Sequence, residues 1–292
     1  MLIKIVLLIT ILGYVQSKLS IDISTDPDDK DVSIEYSGIE ISVITDEDIS
    51  LFNIDTANLK AAFKKHYGKV PSNIYLKSPT PWGDLYETYK WEQVTKVLSV
   101  KSARVKSNVR NPIVVLTQDF VNLSNNTVKV NTGISHTVEN TLTTSWNKEK
   151  EFTVSQEFEY DVNFLFGKAQ GTTAFSYTTT WGTGAEQSET TTIGSTSAVE
   201  TELAPGKAVT AILSANAGIL EIEVIYKMSL RGNVAVNFKK AFRDHHFWGP
   251  PIQNVMASGG IDNEVTVYET IKFGYHVDAS LKVFDRSTGK PV

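Results

Sequence analysis

Between residues 151 and 166 two kinds of side chain alternate, and this alternation is where the sequence could do chemistry. Even positions read Phe152, Val154, Gln156, Phe158, Tyr160, Val162, Phe164 and Phe166, and odd positions read Glu151, Thr153, Ser155, Glu157, Glu159, Asp161, Asn163 and Leu165. Seven of eight fit on each side. Successive side chains of a strand point to opposite faces, so a strand here has one apolar, aromatic side and one acidic, hydroxyl-bearing side. Its chemistry is partition and electrostatic field rather than bond-making. One face prefers hydrocarbon; the other prefers water and attracts cations.

The even apolar parity extends backwards through Val138, Leu142 and Trp146. Beyond the stretch from Gly167 to Gly171 it reverses, with Phe175, Tyr177 and Trp181 now at odd positions against Ser176 and Thr178. Directly opposed residues of an antiparallel pair share a face, so a hairpin joining the two sets needs paired numbers with an odd sum, hence a loop of even length. Four residues (167 to 170) would set Val162 opposite Phe175. Six residues (167 to 172) would set Phe164 opposite Phe175 and Phe158 opposite Trp181. An odd loop would spoil both faces.

Two placements suit such a hairpin. It can lie on a protein core by its aromatic face, or it can contribute to a membrane β-barrel, whose strands of about 9 to 11 residues carry alternate side chains in lipid and in a wet lumen. A lone hairpin cannot span, because its edges would leave backbone groups unpaired in hydrocarbon at several kcal/mol each. The barrel therefore requires several copies and a protein that is soluble first and oligomeric later. Six or seven large apolar side chains per strand would contribute on the order of 10 to 20 kcal/mol to insertion. The lipid-facing set would be Phe152, Val154, Phe158, Tyr160, Val162, Phe164, Phe166, Phe175, Tyr177 and Trp181. The lumen set would be Glu151, Glu157, Glu159, Asp161, Ser176 and Thr178, and a ring of these acids predicts a cation-preferring pore.

Catalysis has no comparable constellation. The 292 residues contain no cysteine, which excludes thiol catalysis, disulfides and cysteine zinc sites. There is no His-Glu-x-x-His, Gly-x-Ser-x-Gly or phosphate-cradling glycine loop, and His245 and His246 would point to opposite sides of an extended chain. The acids from Asp26 to Asp31 lack the glycine and terminal glutamate of a calcium loop. No enzyme activity, metal or cofactor is expected. A net charge of −5 gives no case for nucleic acid.

A second group of chemically useful residues is aromatic: Trp82, Tyr86, Tyr89 and Trp91, interrupted by Gly83. Amphipathic rings suit contact with carbohydrate or lipid headgroups, and equally suit core packing.

The elements that must position these groups are mostly strands. From residue 92 onward Val, Thr, Ser, Asn and Ile alternate between turn residues, an all-β signature. Strands are expected over 94–105, 113–123, 127–147, 151–166, 172–181, 208–213, 220–230, 233–238, 265–273 and 279–284. Several exceed the usual length, which implies long twisted strands in an elongated body. One helix stands out: Leu59, Ala62, Phe63, His66 and Tyr67 share a face, Asp55 or Thr56 can cap it and Gly68 can end it. Residues 244–251 read as an exposed loop and 258–260 as a turn.

At the front, a basic start, an aliphatic run from Ile5 to Val15 and the triplet Val15-Gln16-Ser17 form a secretory signal peptide cut after Ser17. The apolar run is too short for the roughly 20 residues of a membrane-spanning helix. Residues 21–55 hold eleven carboxylates and one lysine, and residues 56–110 hold eleven Lys or Arg and three acids. These blocks should pair or form two solvated faces, the basic one also suiting approach to a membrane. Asn122 and Asn125 are glycosylation triplets.

The hydroxyl-rich segments 126–147 and 172–196, the amphipathic hairpin they enclose, and Pro205-Gly206 leading into a long strand resemble the aerolysin-like β-pore-forming toxins. The likeness is to the epsilon-toxin and mosquitocidal-toxin branch and similar secreted proteins of arthropod venoms, over roughly residues 108–240. It implies a mainly β fold of long twisted antiparallel strands. Residues 18–107 would form a smaller membrane- or receptor-binding region with a short helix, and 108–292 the pore-forming and oligomerisation module, its hairpin at about 136–181. It also implies a secreted monomer that binds a target-cell membrane through lipid or a glycan or protein receptor, assembles into a homo-oligomeric ring and extrudes the hairpin. Trp82, Tyr86, Tyr89 and Trp91 would serve binding. Terminal activation cleavage, at Lys18, Lys30, Lys282, Arg286 or Lys290, is a further implication. The rival is a secreted, non-lytic lectin-like or storage β-protein on the same scaffold.

Overall fold

The computed structural model describes residues 18–25, 31–146, 159–166, 173–180, 184–194 and 200–292. Its strands are β1 (Ser20–Thr25), β2 (Val32–Ser37), β3 (Glu40–Val43), β4 (Asn73–Tyr75), β5 (Thr95–Val121), β6 (Val128–Asn131), β7 (Ser135–Trp146) and β8 (Glu159–Phe166). They continue with β9 (Thr173–Thr180), β10 (Ala185–Gly194), β11 (Glu200–Leu203), β12 (Ala208–Arg231), β13 (Ala235–Phe242), β14 (His245–Trp248) and β15 (Val265–Asp285). The helices are α1 (Asp46–Leu51), α2 (Thr56–Tyr67), α3 (Leu85–Tyr89) and α4 (Ile252–Gly259).

Three long strands carry the molecule. β5, β12 and β15 have 27, 24 and 21 residues, so β5 alone extends about 80 to 90 Å. They lie side by side in an antiparallel sheet of order β10-β7-β15-β12-β5-β3. The expected strand pairs 94–105 and 113–123, 208–213 and 220–230, and 265–273 and 279–284 are therefore three continuous strands. Pro112 is tolerated within β5 because β3 covers only Thr95 to Leu98, leaving Pro112 on an edge stretch of the strand. The position 107/108 lies inside β5.

β12 serves two cores with one backbone. Its inward residues are odd as far as Ala215 and even from Gly218 onward. Register shifts on both neighbours lie next to this change, at Ser214/Asn216 against β15 and Leu213/Ser214 against β5. A one-residue bulge moves the alternation to the opposite face, so Ala211 and Leu213 join Ile134 in a small cluster while Leu220, Ile222, Val224 and Tyr226 enter the main core. Gly218 sits where a Cβ would meet the Tyr275 ring at 2.2 Å, so only glycine lets that ring cross the strand.

The expected helix is α2, capped by Asp55 and ended by Gly68 at φ 86°, with Leu59, Ala62 and Phe63 buried. His66 lies outside the core, its ring against Tyr67 and its Nδ1 at 2.5 Å from the Ser258 hydroxyl. Residues 244–251 are no loop: 245–248 form β14 on β13. The expected turn at 258–260 is the end of α4, which starts after Pro251 and stops at Gly260, φ 71°. The expected strand 127–147 is broken at 132–134, and its first part, β6, pairs with β11. Asn122 is buried and its amide donates to the carbonyls of Asn126 and Leu203, so it is closed to glycosylation, whereas Asn125 is exposed.

The charge blocks meet only in part. Lys96 pairs with Asp48 at 2.8 Å and Lys77 with Asp46 at 3.7 Å, whereas Lys101, Arg104 and Lys106 reach Glu264, Glu223 and Glu221. The acids from Asp26 to Asp29, in the stretch weighed as a calcium loop, lie outside the described residues.

Candidate functional site

β8 and β9 form the hairpin in the register of the six-residue loop, with Phe164 opposite Phe175 and Asp161 opposite Thr178. Every pair sums to an odd number, as do the β7–β10 pairs such as Leu142 with Gln187. Each residue therefore keeps the face that its parity assigns. Phe166 and Phe175 hold positions on these strands. Phe152, Val154, Phe158, Trp181, Glu151 and Glu157 lie outside the described residues.

The apolar face is docked on β12 and β15. Tyr160, Val162 and Phe164 are wholly buried and Tyr177 nearly so. Phe164 stacks on Phe273 with centroids 3.9 Å apart and planes 11° apart, and Tyr177 meets both rings edge-on. Tyr160 meets Tyr226 and Trp146 edge-on, and Trp146 stacks on Tyr226 at 5.5 Å. These four hairpin side chains contribute about 6 to 12 kcal/mol of apolar burial.

At the centre of this contact is a carboxyl group. Glu269 of β15 is fully buried, and it accepts hydrogen bonds from the Tyr160 hydroxyl on one oxygen and from the Tyr226 hydroxyl, at 2.6 Å, on the other. Burial pushes the Glu269 carboxyl up to about 7, against the smaller opposing pull of the two hydroxyls. Burial, and after it the nearby Glu269 charge, raises the Tyr226 hydroxyl well above its ordinary value. The signal for this residue lay in the sequence: Val265, Val267, Ile271, Phe273 and Tyr275 set an odd apolar parity, and Glu269 interrupts it.

The polar face is a ladder of hydrogen bonds. Thr178 donates to Asp161 at 2.9 Å, Ser176 donates to Asn163 at 2.6 Å, and Lys18 reaches Asp161 at 2.7 Å. Glu159 is exposed. Lys18 thus neutralises, and Thr178 helps to position, Asp161, one of the four expected lumen acids. The strand β1, which follows this lysine, was not foreseen; its Ile21 and Ile23, and Leu19 just before it, alternate and are all buried.

The aromatic group forms a second surface. Trp82 and Tyr89 are about half exposed, at 50% and 48%. Tyr89 stacks on Trp91 at 4.8 Å, and Phe247 lies against both Trp82 and Tyr89 at 5.7 and 6.3 Å. Tyr86 does not belong to it. Its ring is buried and its hydroxyl donates to the Tyr75 carbonyl at 2.9 Å, because α3 turns it inward. The platform rests on a left-handed turn through Trp82, Gly83 and Asp84, at φ 68°, 78° and 51°. The Ser78 hydroxyl first, then the Thr80 and Tyr86 N–H groups, hold the Asp84 carboxyl below the usual range and pin that turn. Gly249 leaves room for Trp91, whose ring would be 2.3 Å from a Cβ there.

Among the described residues no helix is long and apolar enough to cross a membrane, and no group of three or more His, Asp or Glu is placed to hold a metal. The arrangement holds an amphipathic hairpin by its apolar face against β12 and β15 and leaves Trp82 and Tyr89 half exposed.

No family model matches the chain. It is 35% identical over 254 residues to U-megalopygitoxin(8)-Mo12 of Megalopyge opercularis, covering 87% of each chain. To U-megalopygitoxin(8)-Mc8 of Megalopyge crispata it is 33% identical over 261 residues, covering 89% of this chain and 90% of that one. Among solved structures it is similar to the parasporin-2 Bacillus thuringiensis toxin that recognizes cancer cells, with a TM-score of 0.54, 18% identity and coverage of 84% of this chain and 97% of that one. This last likeness concerns the fold.

Proposed function

We propose, since the chain belongs to the U-megalopygitoxin(8) toxin family and shares its fold with the parasporin-2 toxin, that it is a non-enzymatic, secreted venom toxin of aerolysin-like type that perforates target-cell membranes by releasing the β8–β9 hairpin into a homo-oligomeric β-barrel. The observation that carries the reading is the docking of the hairpin by its apolar face. Tyr160, Val162, Phe164 and Tyr177 leave one apolar environment, the faces of β12 and β15, and enter another, the acyl chains. The apolar term nearly cancels between the two states, so control passes to the polar groups: the Glu269 contact and the strand edges.

In the inserted state Phe152, Val154, Phe158, Tyr160, Val162, Phe164 and Phe166, with Phe175, Tyr177 and Trp181, face lipid. Glu151, Glu157, Glu159, Asp161, Ser176 and Thr178 line the lumen and make it cation-preferring. The platform of Trp82, Tyr89 and Trp91, now extended by Phe247 and without Tyr86, holds the protein to headgroups or to a glycan before insertion.

Cysteine scanning of positions 152 to 166 with an environment-sensitive dye tests the reading, since the chain has no native thiol. On membranes, even sites should enter an apolar environment while odd sites stay wet. A flat profile, with no dye release from liposomes and no SDS-resistant oligomer, leaves the exposed rings as the functional surface and favours a non-lytic binding protein.

A further inference from the structure

The hairpin has two edges, and they are not alike. In the sheet order β2-β1-β8-β9, one edge of β8 holds β9 and the other holds β1. β1 runs parallel to β8 from Ser20 opposite Asp161 to Thr25 opposite Phe166, while β2 covers β1 from outside. Leu19, Ile21 and Ile23 anchor β1 and are at most 1% exposed. Its polar side is tied as well: Lys18 to Asp161 at 2.7 Å, and the Asn163 amide to Asp22 at 2.7 Å. The far edge of β9 pairs with no strand among the described residues.

On the reading of the hairpin as a barrel element, we infer that the β8 edge is the surface on which a second copy of this chain lays its β9, and that β1 is the segment that must leave it. In hydrocarbon every edge N–H and C=O must be paired, so each hairpin's β8 edge has to accept the β9 edge of a neighbour. Transmembrane barrels of this kind are antiparallel throughout, whereas β1 is parallel and carries Asp22 and β2 with it. β1 therefore cannot remain in the ladder. A chain with both edges open would present complementary surfaces and associate head to tail in solution. Covering only β8 suffices to prevent this, because each joint needs one edge of each kind.

The test fixes β1 in place reversibly. Ser24 and Leu165 are register partners away from the core, and no other thiol competes. The double variant Ser24→Cys/Leu165→Cys, oxidised, should bind liposomes or susceptible cells as the wild type does, yet release less than a tenth of the dye and form no SDS-resistant oligomer. Reduction should restore both. An oxidised, crosslinked protein that assembles and lyses at the reduced rate overturns the inference.

A second measurement separates this from the pore-forming reading. The full chain with Ile21→Asp and Ile23→Asp, its fold checked by near-UV circular dichroism, should sediment as oligomers in detergent micelles where the wild type is monomeric. A folded variant that stays monomeric refutes the role of β1 even if the wild type lyses. Oligomers of the folded variant beside a wild type that never lyses would support the edge and reject the pore.

Discussion

Exchange of Glu269 for glutamine probes the contact that holds the hairpin. The carboxyl has an ordinary value of 4.5 and is pushed up to about 7 in the docked state. The docked protein thus binds this proton more readily than a state in which Glu269 reaches water. The stability it contributes is complete below about 4.5, declines as pH rises through 7, and stays low above. At 1.36 kcal/mol per tenfold change in proton affinity, the gap corresponds to about 3 kcal/mol across that window. For a chain of this size each kcal/mol moves Tm by about 2 to 4 °C, so the effect is about 6 to 12 °C. Thermal unfolding by circular dichroism at pH 5 and pH 8 measures it. The wild type should lose that much more Tm than Glu269→Gln between the two pH values, because glutamine still bonds to Tyr160 and Tyr226 but does not titrate. Liposome dye release should accelerate from pH 5.5 to 8 in the wild type and lose that dependence in the variant. Parallel melting curves for the two proteins would refute the assignment of Glu269 as the titrating group.

Four further outcomes are expected. Replacing Glu157, Glu159 and Asp161 together by lysine should reverse the sign of the reversal potential in planar bilayers under a salt gradient; unchanged selectivity would remove these acids from the lumen. Trp82→Ala and Tyr89→Ala should each weaken binding to liposomes or cells about tenfold while leaving unfolding free energy within about 0.5 kcal/mol, as exposed sites do. Tyr86→Phe should instead lower stability by about 1 kcal/mol with binding intact, read by urea unfolding beside a sedimentation binding assay. Gly218→Ala should destabilise by about 2 kcal/mol or more in urea, since its Cβ must displace the Tyr275 ring.

Much of the hairpin was legible before any coordinates, because side-chain parity is a property of the extended backbone itself. The phase reversal between Phe166 and Phe175 required an even loop, and the register confirms an odd sum at every pair. Helix α2 was equally legible from its stripe and caps. Other elements were not. α4 was hidden by Pro251 and Gly260, which mark loops as readily as helix ends. Tyr86 is indistinguishable in type from Tyr89, and only the turn at Asp84 decides which ring is buried.

The amino-acid sequence by itself determined which faces are apolar, where the chain must turn, and that it is a β-protein with an amphipathic hairpin, since these depend on periods of two and 3.6 within a few residues. Only the tertiary structure decided that the six-residue loop prevails, that β5, β12 and β15 run unbroken, that Glu269 meets Tyr160, and that β1 occupies the β8 edge. The last two join residues more than a hundred positions apart, Tyr160 and Glu269 at 109 and β1 with β8 further still. No local pattern encodes a partner at that distance, because backbone hydrogen bonds are alike for every residue and the choice among edges is made by the packing of the whole sheet.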